Sequence, residues 1–346
     1  MHLPVQLKSA GRLASLILVL LLAGCASTPQ WPSSEDEGAP LQQRTVLQGI
    51  PFYPQERYQC GPASLAMMLN SQGLDTNPEV LKELVYIPGR EGSLQVEMVA
   101  AGRAHGMLVY PLDGSFESLL REVSDGHPVL VMQNLLFDWW PQWHFAVVIG
   151  FDAQKGTVIL HTDTRERHET SVEVFTNTWA RSENWAVVML PPDQLPATAK
   201  PLKFLASASD LETTGRTGAA MKAYETAEHR WPDQPAAILG QGNIAYARNN
   251  LQQAADNFAR MVTNFPKAAE GWNNLAHTLG QMGCGEEAQK AQRCASALAP
   301  ERFGKLLKST NPKAGASSCR VPECPVRINE TDPAPSGTEP HLLQER

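Results

Sequence analysis

Gln59-Cys60-Gly61-Pro62-Ala63-Ser64-Leu65-Ala66-Met67-Met68-Leu69 is the stretch on which the fold turns. Pro62 suits a first helical position, where its missing N–H costs nothing, and the apolar residues after it recur with helical spacing. The run therefore predicts a helix with Cys60 at its N-terminus. There the free N–H groups and the helix dipole favour a negative charge, which predicts a lowered thiol pKa. Gly61 lets backbone or substrate come close. A cysteine so placed is either a nucleophile awaiting a base or a small buried residue that packs.

A base must come from elsewhere in the chain, and nine histidines are available. His2 lies in an N-terminal apolar segment, His229 and His277 fall on helical patterns, and His341 is near the end. His105 and His127 sit beside glycine or proline, and His168 lies in the charged stretch 165–169. His144 and His161 remain. His144 opens Phe145-Ala146-Val147-Val148-Ile149-Gly150-Phe151-Asp152, an apolar run that reads as a buried strand ending at a turn. Asp163 follows a second strand, 157–161, and an antiparallel hairpin returns it to the level of His144. Its carboxylate is then placed to accept the imidazole N–H and hold one tautomer. His161 is the alternative base. Trp139, Trp140 and Trp143 precede His144, either as an aromatic wall beside a cleft or as packing under a loop. No His-Glu-x-x-His, Gly-x-Ser-x-Gly or phosphate-loop motif occurs.

Residues 48–190 resemble the bacteriocin-processing, double-glycine type of cysteine peptidase domain, a papain-like α+β fold, which predicts a domain spanning 45–192. The matching pieces are Gln55, Cys60-Gly61-Pro62-Ala63, the segment 92–106, and His144-Phe145-Ala146-Val147-Val148 with Gly150. The resemblance implies that Cys60 attacks, His144 shuttles the proton, Asp163 orients the imidazole and Gln55 stabilises the oxyanion. Gln55 stands one residue closer to the cysteine than the family's glutamine, and Gln59 replaces the usual aspartate. Three outcomes stay open: Gln55 reaches through a small change in the loop, Gln59 contributes, or the oxyanion hole is impaired.

Beyond Pro191-Pro192 and the prolines at 196 and 201, the chain is Ala-rich and helical to about residue 300. Pro232, Pro266 and Pro300 recur at one fixed interval, and Ala220, Ala254 and Ala288 recur at the same one. This ladder resembles the tetratricopeptide repeat (TPR), a helix-turn-helix unit with that period. It predicts an all-α TPR domain over 201–304, with repeats at about 201–234, 235–268 and 269–302. Such stacks bind peptides or partner helices in a concave groove, or serve as buttresses. Gly240-Gln241-Gly242-Asn243-Ile244-Ala245 matches a dinucleotide fingerprint, but lies in a helical pattern with no strand before it.

At the N-terminus, Lys8 and Arg12 precede a short apolar run ending in Leu22-Ala23-Gly24-Cys25. The run is too short to span a membrane and has the shape of an export signal, 1–24. Its end resembles the bacterial lipobox, which implies lipidation of Cys25. Ala26 at the next position favours the outer membrane, with the domains in the periplasm. Residues 25–44 read as a flexible tether and 305–346 as a tail of low order. Cys284, Cys294, Cys319 and Cys324 remain, an even set that predicts one or two disulfides without choosing their pairing.

The formal charge of −7 becomes −9 once the two cations of the signal are removed, and no basic patch argues for nucleic acid. No cofactor or metal is expected. The sequence thus predicts a lipid-anchored thiol peptidase acting on a peptide or protein, with a partner or substrate in the TPR groove. The alternatives are a retired peptidase fold that binds, and a thiol amidase or transpeptidase acting on cell-wall peptides.

Overall fold

The computed structural model describes residues 31, 42–55, 59–304 and 319–326. Cys25, the export signal, nearly all of the tether and most of the tail lie outside them. Among the described residues, no helix is long and apolar enough to cross a membrane.

The first part of the chain builds a seven-stranded antiparallel sheet between two helical layers. In chain order the strands are β1 (Arg44–Val46), β2 (Leu108–Pro111), β3 (Val129–Asn134), β4 (Trp143–Asp152), β5 (Thr157–Thr162), β6 (Arg165–Ser171) and β7 (Ala186–Leu190). They lie in the order β2-β7-β3-β4-β5-β6. β3 covers one edge of β4 from Trp143 to Val148, and β1 takes up the rest of that edge, pairing Val46 with Gly150. Gly150 is required at that junction, because a Cβ there would sit 2.6 Å from the Thr45 carbonyl oxygen.

Period-two alternation sorts the strands between two cores. Phe145, Val147 and Ile149 of β4 join Val187 and Met189 of β7 under helices α1 (Cys60–Ser71), α2 (Pro78–Val85) and α3 (Gln95–Ala104). Ala146 and Val148 join Val188 and Leu190 on the other face, against α4 (Phe116–Ser124) and α5 (Val172–Ala180). Helix α1 is buried at every position from Gly61 to Leu69, so it is a central helix with little amphipathic pattern.

Six helices follow in antiparallel pairs: α6 (Pro201–Thr213), α7 (Thr217–Arg230), α8 (Pro235–Ala247), α9 (Leu251–Asn264), α10 (Ala269–Met282) and α11 (Gly285–Leu298), with a short α12 (Pro300–Phe303) at their end. The first helices of the pairs start at 201, 235 and 269, and the second at 217, 251 and 285, so both series advance by the same constant step. The fingerprint-like glycines serve this packing. A Cβ on Gly240 would lie 2.4 Å from the Tyr224 ring, and one on Gly242 would lie 2.3 Å from the Phe258 ring. Disulfides Cys284–Cys319 and Cys294–Cys324 staple residues 319–326 to the last pair. Cys319, Val321 and Cys324 thereby pack on the end of the apolar core formed by α8 to α11.

The prolines between 191 and 201 do not separate two cores. Phe204, Leu211, Ala220 and Tyr224 of the first helical pair share one core with Val188, Leu190 and Tyr110 of the sheet. The connecting segment is fixed by Glu122, whose fully buried carboxylate accepts the N–H groups of Ala197 (3.0 Å) and Thr198 (2.8 Å) and the Thr198 hydroxyl (2.6 Å).

Candidate active site

Helix α1 starts in the cleft end of the sheet, where its first residue is Cys60. The Gln59 carbonyl accepts the Ala63 N–H at 3.1 Å, closing the first turn. Position 61 admits only glycine, since a Cβ would stand 2.2 Å from Ser93 Oγ. Ser93 belongs to the opposite wall, a loop that follows a 3₁₀ turn at Pro88–Arg90, and its buried hydroxyl has no hydrogen-bond partner among the described residues. The resulting cleft, about 890 Å³, is lined by Gln55 and Cys60 on the α1 side, by Arg90 to Leu94 opposite, and by Trp143, His144, Phe145 and Asp163 from the sheet. The four residues singled out in the sequence therefore meet in one cavity. Gln59 is not among its lining residues.

His144 sits near the start of β4, paired with Gln133 of β3. Its Nε2 lies 2.7 Å from Thr162 Oγ1 on β5. This corrects the expected partnership with Asp163: among the described residues, the hydrogen-bond partner of the imidazole is Thr162. Asp163 occupies the two-residue turn between β5 and β6, with φ +54°, and acts on the ring through its charge alone. Its backbone carbonyl instead accepts the Gln55 N–H at 2.9 Å, so the turn clamps the segment carrying Gln55. The period of two predicts Thr162: along β5, Leu160 and Thr162 share the sheet face of His144, while Asp163 falls in the turn.

His161 is on the other face of β5. Its Nε2 lies 3.3 Å from the Ile50 carbonyl, its Nδ1 accepts the Arg167 N–H at 3.2 Å, and its ring packs on Phe52. It ties strands and loop together and does not line the cleft.

The electrostatics also differ from the expectation. Burial pushes the Cys60 thiol above its usual range, and the nearby backbone of Phe145, Gly61 and Cys60 itself offsets this only in part. Desolvation outweighs the helix terminus because it acts on the whole thiolate, whereas the dipole contributes a fraction of a charge. Burial likewise pushes His144 down to about 4, against the opposing charge of Asp163. Both shifts favour neutral forms, and among the described residues no hydrogen bond joins the thiol to the imidazole. The resting pair is neutral, with Nδ1 the ring nitrogen not engaged by Thr162.

The Gln55 side chain is buried. Its Nε2 donates to Ser64 Oγ (3.4 Å) and the Phe145 carbonyl (3.5 Å), and its Oε1 has no partner among the described residues. Ser64 Oγ also donates to the Phe145 carbonyl at 3.2 Å. A half-turn of the amide would aim its N–H₂ the other way and bring Oε1 to Ser64, whose hydroxyl can rotate to donate to it. Ser64, hidden in the apolar pattern of α1, thus governs which way the amide faces.

The tryptophans divide. Trp143 lines the cleft, while Trp139 and Trp140, 78% and 66% exposed, stand on the β3–β4 loop with Phe137 stacked on Trp139 at 5.6 Å. They are not packed under a loop. Among the described residues, no cluster of three His, Cys, Asp or Glu side chains could hold a metal ion.

Residues 47–187 match the model of the Peptidase C39 like family. Among solved structures, a C39-like peptidase from Bacillus anthracis shares 18% identity over 43% of this chain and 98% of its own, with a TM-score of 0.36. The peptidase domain of Streptococcus ComA, a bi-functional ABC transporter involved in quorum sensing, shares 20% identity over 42% and 98%, with a TM-score of 0.33. No curated protein matches the chain. The α+β unit that holds Cys60, His144, Asp163 and Gln55 is a C39-like peptidase domain, followed by a region of paired helices.

Proposed function

We propose that this protein is a lipid-anchored thiol peptidase of the bacterial cell envelope, with Cys60 and His144 as its catalytic pair and a TPR array that docks substrate or partner. The observation that carries the reading is the gathering of Cys60, His144, Gln55 and Asp163, from four separate stretches of chain, around one cleft.

In the reaction, the neutral imidazole takes the Cys60 proton through Nδ1 as substrate arrives, directly or across one water. Catalytic hydrogen bonds are often loose until substrate binds. The sulfur attacks the amide carbonyl, and the oxyanion is met by the Cys60 N–H and by the Gln55 N–H₂ once the amide has turned. The C–N bond breaks as the imidazolium returns its proton to the leaving amine, leaving a thioester. Water, deprotonated by the same imidazole, then releases the acid and restores the thiol. An oxyanion donor such as Gln55 contributes on the order of 3 kcal/mol.

Helix starts that return at one fixed interval through three pairs support the TPR reading. The Leu22-Ala23-Gly24-Cys25 run supports acylation of Cys25 and placement at the outer membrane, with the domains in the periplasm. Two disulfides fit an oxidising compartment.

A second reading, a peptidase fold that binds without cleaving, is favoured by the raised thiol and the inward-facing Gln55 amide. Alkylation of Cys60 near neutral pH separates the two. A working pair reacts at least tenfold faster in wild type than in His144→Ala, and casein-like protein is cleaved. Equal labelling rates with no cleavage would establish the binding protein.

A further inference from the structure

His144 is a wall shared by two cavities. Behind the nucleophile's cleft lies a second space of about 350 Å³, which shares Gln142, His144 and Asp163 with the first. Its floor is one face of the sheet: Gln133 of β3, His144 of β4, Thr162 of β5, and Arg165, His168 and Thr170 of β6. Strand register puts these side chains together, since Gln133 pairs with His144 and Thr162 with Arg165. Deeper along the same face, the corresponding positions are the apolar residues Val131, Ala146, Val148 and Val158. The face turns polar only where it meets the imidazole, and two of its polar residues, Gln133 and Thr162, are buried.

Arg165 is the cation of this cavity. Its Nη1 donates to His168 Nε2 at 3.1 Å, which orients the guanidinium and requires that nitrogen of His168 to be unprotonated. Among the described residues, no carboxylate lies within ion-pair distance of Arg165, so its charge is not neutralised by a partner in the cavity. Asp163 stands on the rim between the cavities, on the side of the imidazole.

We propose that this second cavity is the subsite for the residue on the leaving side of the scissile bond, and that it takes an acidic side chain paired with Arg165. The inference rests on the peptidase reading and adds a substrate class to it. Acyl transfer dictates the direction: the group that protonates the leaving amine must touch it, so the chain beyond that amine passes the imidazole on the side away from the sulfur. Arg165 then meets a carboxylate, with Thr170 and Gln133 as neutral hydrogen-bonding neighbours.

The test separates binding from turnover. Full-length Cys60→Ala protein is titrated by NMR with three leaving-side fragments, glutamyl-, glutaminyl- and lysyl-leucine amide, whose blocked C-termini offer no other carboxylate. The glutamyl fragment is expected to bind about two- to fivefold more tightly than the glutaminyl one, as a solvent-accessible guanidinium–carboxylate pair gives. The lysyl fragment is expected to be weakest, and Arg165→Gln should erase the glutamyl preference. Equal binding of all three, preference for lysine, binding of none, or a preference that survives Arg165→Gln would each overturn the proposal. If Cys60 in otherwise native protein proves unactivated by His144 while the glutamyl preference is present, the peptidase reading falls and the acidic subsite stands.

Discussion

The sheet domain and the helical array differ in how far apart in sequence their working residues lie. In the array, each unit repeats its neighbour's positions one period further on, so Tyr224 and Phe258 hold the same place in successive units, each ring packed against a glycine of α8. In the cleft, Gln55, Cys60, His144 and Asp163 come from a loop, a helix start, a strand and a turn. A repeat is stabilised by local contacts that recur, and damage to one unit should remain with its neighbours. A cleft depends on register between distant strands, and damage there should remove function with little loss of stability.

The strongest challenge to that contrast is Cys60→Ala. It should reduce peptide hydrolysis by on the order of 10³-fold or more while leaving the unfolding free energy from urea titration within about 0.5 kcal/mol of wild type. A large loss of stability would mean that Cys60 is primarily a packing residue. Next in size is reduction of Cys284–Cys319 and Cys294–Cys324, which should destabilise the end of the array by about 2–4 kcal/mol per bridge. Hydrogen exchange should speed up in α10 and α11 while the sheet stays protected. Loss of protection throughout would show the two regions to be one cooperative unit. Gly242→Ala follows at about 1–3 kcal/mol, since the added Cβ must displace the Phe258 ring. Its effect on thermal stability should leave the rate of Cys60 alkylation unchanged.

The shared core between α6, α7 and the sheet limits the contrast. Glu122 gives up solvent to hold Ala197 and Thr198, and Phe204 and Tyr224 are buried in the same cluster as Val188. Prolines at 191, 192, 196 and 201 mark a domain boundary by composition alone, and a buried carboxylate accepting three hydrogen bonds from that segment holds it in place. What sequence could show followed its periods. The helix after Pro62, the strand after His144 and the ladder of prolines and alanines all follow patterns carried by many residues at once. The site partners were harder to read because single residues settle them. Thr162 and Asp163 are adjacent, and only the point at which β5 ends makes one of them the imidazole's neighbour and the other a turn residue. The raised thiol was hidden for a similar reason: a helix start is visible in sequence, whereas the burial that overrides it is set by how distant segments fold around Cys60.

The smallest effects concern that neighbour. If the resting pair is neutral, the free enzyme needs an unprotonated imidazole, so kcat/KM should rise with pH through about 4 and stay level toward neutrality. Asp163 raises the His144 pKa by its charge, so Asp163→Asn should move that acid limb to lower pH and leave the plateau close to wild type. Thr162→Val keeps the charge and removes the hydrogen bond that holds Nε2, so it should lower the plateau by about tenfold, as expected when an imidazole loses its orienting partner. A pre-formed thiolate–imidazolium pair would behave differently. Its imidazolium would be the required form, so Asp163→Asn would erode the alkaline side of the profile instead. Comparing the limb that moves in Asp163→Asn with the plateau that falls in Thr162→Val therefore decides whether the carboxylate or the hydroxyl positions the base, and whether the proton sits on sulfur before substrate arrives.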